Sequence, residues 1–71
     1  MNEIDKFESE ADYIATSREL FQRVDRGELK PLNVQENEPF EHRYFLEQAS
    51  GEVWILAIPD QAFRGFLKRR P

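Results

Sequence analysis

Catalysis in a short chain depends on nucleophiles, bases and metal ligands, and this chain has few of them. His42 is the only histidine, and there is no cysteine. A zinc site normally draws on several cysteine or histidine ligands, so a metal here would depend on carboxylates around one imidazole. Neither the H-E-x-x-H pair nor the calcium-loop spacing occurs. Hydroxyl nucleophiles need an adjacent base. Ser9, Thr16, Ser17 and Ser50 each have a cap or turn role to fill, and a single histidine would have to serve them all. Glu8 and Asp12 are one helical turn apart and share a face, but a carboxylate pair without a pocket is only solvated surface. Gly27, Gly51 and Gly65 are scattered, which leaves no phosphate-cradling loop. The expectation is a non-enzymatic protein with no cofactor and no metal.

Binding is the remaining chemistry. Arg64, Lys68, Arg69 and Arg70 gather at the end of the chain. On a C-terminal helix the last three would occupy the final turn, where a cation gains roughly 0.3–1 kcal/mol from the helix dipole. The same four bases, with Arg43, are the candidate nucleic-acid-binding residues. A net charge of −4 argues against that reading, because nucleic-acid-binding domains usually carry a basic stripe and a high pI. No helix-turn-helix, zinc-finger or ribonucleoprotein signature is present.

The charge is distributed unevenly. Residues 1–38 hold ten acids against five bases, whereas residues 39–71 hold four acids against five bases. An acidic front half repels phosphate, attracts a basic partner surface and keeps a small protein in solution. Seventy-one residues make a single domain over residues 1–71. The stability expected at this size is about 4–10 kcal/mol. The opening MNEIDKFESE lacks the apolar stretch of a secretory signal. The longest apolar run, residues 53–58, falls far short of the ~20 residues needed to cross a bilayer. Together with the absence of cysteine, these features lead us to expect a soluble cytoplasmic protein with no membrane partner.

The spacing of apolar residues suggests an α+β fold. Ile4, Phe7, Ala11, Ile14, Phe21 and Val24 recur at mostly helical steps, widened by Ala15 and Leu20. Ser9-x-x-Asp12 and Thr16-x-x-Glu19 both approximate capping boxes, and one helix over residues 9–26 with Gly27 as its C-cap is preferred. Residues 32–35 suggest a short edge strand, and QENEP a turn. Residues 43–58 read as a β-hairpin around Ser50 and Gly51. Asp60, Phe63, Phe66 and Leu67 suggest a short C-terminal helix. The predicted architecture is an N-terminal amphipathic helix, a small antiparallel sheet of two or three strands and a short C-terminal helix, with both helices on one sheet face.

Strand alternation sorts the hairpin into two faces. With a two-residue loop, Phe45 stands opposite Leu56 and Glu47 opposite Trp54. One face carries Tyr44, Leu46, Val53, Ile55 and Ala57. The other carries Phe45, Trp54, Leu56 and Ile58 beside Arg43 and Glu47. Aromatic anchors ringed by isolated charges resemble the centre and rim of a protein interface, so Trp54, Phe45, Arg43 and Glu47 are the candidate partner-binding residues. Two other arrangements would hide that face: cover by residues 1–8 through Ile4 and Phe7, or a homodimer. The leading expectation is a small regulator or inhibitor of prokaryotic or phage type that occludes a surface on another protein. The alternatives are a nucleic-acid-binding protein and a homodimeric accessory subunit of an enzyme complex.

Overall fold

The computed structural model describes residues 1–32 and 42–71. Helix α1 runs Glu10–Asp25. Ser9 caps it in an extended conformation, its hydroxyl accepting a hydrogen bond from the Asp12 amide at 3.2 Å. Gly27 follows the helix with φ +78°, a conformation that suits a residue without Cβ. The Thr16 box goes unused, and α1 is continuous. Around the helix end Glu28 bonds Arg26 at 2.6 Å and Arg23 at 3.1 Å. The Arg26 hydrogen bond is the main reason the Glu28 carboxyl lies below its ordinary pKa of 4.5.

Four strands form one antiparallel sheet in chain order: β1 (Leu29–Leu32), β2 (His42–Glu47), β3 (Val53–Ala57) and β4 (Phe66–Arg69). The β2–β3 hairpin closes through a four-residue loop, Gln48 to Gly51. The Glu47 amide donates to Glu52 O and the Gly51 amide to Glu47 O, both at 2.8 Å. Phe45 therefore stands opposite Trp54, two positions from the pairing that a two-residue loop gives. A slip of two preserves strand parity, so the two sets of side chains remain grouped as the sequence sorts them. On β1 the Gln48 amide donates to Glu28 O at 3.1 Å, and antiparallel alternation then directs the Pro31 nitrogen to the outer edge, where a missing N–H costs no ladder bond. Strand β1 ends at Leu32, and the rest of the expected edge strand, with the QENEP turn, lies outside the described residues.

The C-terminal helix is a correction. Residues 66–69 form β4, the fourth strand, and α1 is the only helix among the described residues. Asp60 behaves as a turn residue: its carboxylate accepts from the Gln61 amide at 2.7 Å, and its backbone exchanges two hydrogen bonds with Phe63. Gly65 then adopts φ +77°, and a Cβ there would lie 2.4 Å from Ala57 O. That tight passage turns the chain into the β3 edge, where Leu67 pairs with Leu56. A ten-residue helix is marginal without packing, and joining the sheet satisfies the same backbone groups.

The core lies between α1 and one sheet face. Phe7, Leu20, Leu29, Phe45, Trp54, Leu56 and Leu67 are buried together, with Met1, Ile4, Tyr13 and Val24 packed against them. The helix phase differs from the expected stripe. Leu20, Tyr13 and Val24 face the sheet, while Ile14 is 45% exposed and Phe21, with one edge against Phe45 at 5.9 Å, is 41% exposed. Residues 1–8 run along the outside of β4. Ile4 bridges Leu67 through two backbone hydrogen bonds of 2.8 and 3.0 Å, and Phe7 is sealed inside.

Candidate functional site

The helix-side face contains every partner-binding candidate. Cross-strand pairing puts Arg43, Phe45 and Glu47 of β2 on the same side as Trp54 and Leu56 of β3. Trp54 is 2% exposed and Phe45 1%. The expected exposure of these rings is therefore corrected: α1 and residues 1–8 cover them, so they are core. The physical reason is area. A helix of sixteen residues and the N-terminal segment together cover a sheet face whose centre is two large rings and a leucine. The indole Nε1 of Trp54 is buried with no hydrogen-bond partner among the described residues. Arg69 lies over the indole ring at 5.9 Å and forms ion pairs of 3.7 Å with Glu3 and Glu52.

The four C-terminal bases separate. Arg64 anchors the N-terminal segment of residues 1–8, its guanidinium donating to Phe7 O at 2.9 Å and to Glu8 O. Arg69 points to the helix side, opposite Trp54. Lys68 and Arg70 belong to the other face, opposite Ile55 and Val53; the Arg70 amide donates to Val53 O at 2.7 Å, extending the ladder one residue past β4. The cationic cluster expected of a C-terminal helix is thus divided between two sides of a strand.

The face away from α1 has a charge pattern that the linear sequence conceals. Read across the strands, one row is Lys30, Leu46, Val53, Arg70. The next is Leu32, Tyr44, Ile55, Lys68, and the third is His42, Ala57, Phe66. Aliphatic and aromatic side chains fill β2 and β3, and cations stand on the outer strands. Among the described residues no strand position on this face carries a carboxylate. Asp5, from the N-terminal segment, reaches Lys68 at 3.7 Å. Lys68 lies over the Phe66 ring at 5.2 Å, Arg70 over the Tyr44 ring at 5.8 Å, and His42 makes an edge contact with Phe66 at 5.6 Å. Leu46, Val53 and Ile55 are half-buried. Tyr44 is only 5% exposed, so its ring has no free surface on which a base could stack.

A separate cleft of about 420 Å³ has Phe7, Tyr13, Ile58 and Phe63 as walls and Glu10, Asp60 and Arg64 at its rim. It has no histidine, and Arg64 is committed to backbone carbonyls. Among the described residues no three His, Cys, Asp or Glu side chains are placed to hold a metal ion. No described helix is long and apolar enough to cross a membrane. No family model, curated protein or solved structure matches the chain.

Proposed function

We propose that the chain is a non-catalytic protein-binding module whose docking surface is the sheet face away from α1, centred on Leu46, Val53 and Ile55. The reading is supported chiefly by segregation of charge. In a chain of net charge −4, Lys30, Lys68 and Arg70 flank an apolar trough that has no strand carboxylate among the described residues. Such a surface selects an apolar partner patch bordered by acids. Its action is steric: the module covers the surface it binds and leaves it chemically unchanged.

The same cations support a second reading, binding of single-stranded nucleic acid. The ring-over-cation pairs at Phe66 and Tyr44 favour it, but the closed Tyr44 ring removes the stacking platform that would supply affinity. Charge reversal separates the two. In affinity capture with nuclease, a Lys30→Glu/Lys68→Glu variant should lose a bound protein that the parent retains, with at least about a tenfold drop in affinity. Binding that needs nucleic acid, or that falls steeply with salt in proportion to phosphate contacts, would support the second reading instead. Capture unaffected by the double reversal would exclude the sheet face.

A further inference from the structure

We infer that the outer edge of β4 is a second recognition site, which takes an extended peptide segment of a partner protein as an added antiparallel strand in place of residues 1–5. The inference stands independently of the sheet-face reading. A sheet leaves N–H and C=O groups open for pairing at its outer strands. On β1 that edge holds Pro31, which has no N–H to offer. On β4 the backbone groups of Leu67 and Arg69 point outward, because the Arg70 amide bonds inward to Val53 O. The N-terminal segment uses this edge incompletely. Ile4 and Leu67 exchange two hydrogen bonds, and regular alternation would then pair Asn2 with Arg69. That pair does not form: the bridge at Ile4 is isolated, and the Arg69 amide donates to the Glu3 carboxylate at 3.1 Å.

The hold on the segment is uneven. At its far end Phe7 is buried, its amide donates to Gly65 O at 3.4 Å, and Arg64 binds the carbonyls of Phe7 and Glu8. Toward Met1 the hold weakens. The Glu3–Arg69 and Asp5–Lys68 ion pairs are both 3.7 Å long, the Asp5 side chain is 94% exposed, and exposed pairs of this kind add little. A cleft of about 400 Å³ is lined by Met1, Asn2 and Ile4 and by Thr16, Leu20 and Arg23 of α1, so this end of the segment does not close fully on the helix. Residues 1–5 can therefore peel from β4 while Phe7 stays in place as a plug. The segment also shows what the edge selects. Glu3, Ile4 and Asp5 read carboxylate, aliphatic, carboxylate against Leu67, Lys68 and Arg69. Arg69 keeps Glu52 and the Trp54 ring, and Lys68 the Phe66 ring, so both cations stay on β4 while the carboxylates facing them are exchanged. A partner strand with the same triplet reproduces the bridge at Leu67 and both ion pairs, and it adds the regular backbone pair at Arg69 that residues 1–5 leave unmade.

The probe is a blocked synthetic peptide reading threonine, valine, threonine, glutamate, isoleucine, aspartate, titrated into the full chain and followed by amide NMR. In the parent it should shift the Leu67 and Arg69 amides at millimolar peptide, because the chain's own segment competes. Ile4→Ser loosens that competitor and should tighten peptide binding at least about tenfold. If Ile4→Ser fails to stay folded, Glu3→Gln/Asp5→Asn touches only exposed contacts and should tighten binding about threefold. A control peptide with lysine in place of isoleucine should bind neither form. In native-state hydrogen exchange the Leu67 amide should exchange at least about tenfold faster than the amides of the β2–β3 ladder. Leu67 and Arg69 amides that stay silent, equal affinity for parent and loosened variant, or Leu67 protection equal to the ladder would each overturn the inference. Concentration-dependent shifts of these amides without peptide would give the edge to a second copy and overturn it as well. Peptide shifts confined to Leu46, Val53 and Ile55 would overturn strand addition alone and leave the sheet-face reading standing.

Discussion

Trp54 presents the same chemistry to a reader of the sequence and to the fold, but with opposite consequences. An indole flanked by charges looks like an interface anchor, and here it is 2% exposed beneath α1. Its value to the molecule is therefore volume. Trp54→Ala should cost about 3–5 kcal/mol, a large share of what a domain this size has. Trp54→Phe should cost far less, within about 1–2 kcal/mol, because the indole N–H it removes is buried without a partner and is itself a penalty. Chemical denaturation of the two variants distinguishes these outcomes. Equal losses would mean that the indole nitrogen matters and that the packing account is incomplete. Loss of binding in Trp54→Ala would then report unfolding, so the charge variants at Lys30 and Lys68 are the better probes of function.

At the level of elements, local sequence signals identify two of the structural units and fail at a third. The cap at Ser9, the stop at Gly27 and the aromatic strands around Ser50-Gly51 each depend on residues within a few positions of one another, and they appear where those residues place them. The parity of the hairpin was legible for the same reason. Which face α1 would cover was not, because Phe7, Ile4 and the phase set by Tyr13, Leu20 and Val24 are long-range packing choices. The C-terminal segment misleads because Phe63, Phe66 and Leu67 keep helical spacing while Gly65 is held at φ +77° against the Ala57 carbonyl. Phe66 and Leu67 then fall on opposite faces of a strand. Gly65→Ala tests whether that passage directs the segment into the sheet. It forces both a left-handed backbone on a residue with Cβ and a 2.4 Å approach to Ala57 O, so it should cost about 3 kcal/mol. A thermal midpoint within a degree or two of the parent would show that β4 forms without the tight turn.

Across the whole molecule, the fold converts a sequence with an acidic front and a mildly basic back into a body with two unlike sides. Helix α1 carries Glu10, Asp12, Glu19 and Asp25 against Arg18 and Arg23, and the strand positions beneath it add Arg43, Glu47 and Arg69, while the strand positions of the opposite face carry Lys30, Lys68 and Arg70 around Leu46, Val53 and Ile55 with no carboxylate among the described residues. Neither composition nor the order of charges along the chain exposes this division, because it arises from β-strand alternation applied to four strands at once. Methyl-resolved NMR of the protein, alone and with any captured partner, is the most direct test. The account predicts shifts and broadening at the Leu46, Val53 and Ile55 methyls, with Leu20 and Leu56 unmoved. Perturbation confined to the cleft around Phe63 and Tyr13, with the sheet methyls silent under every condition, would contradict it.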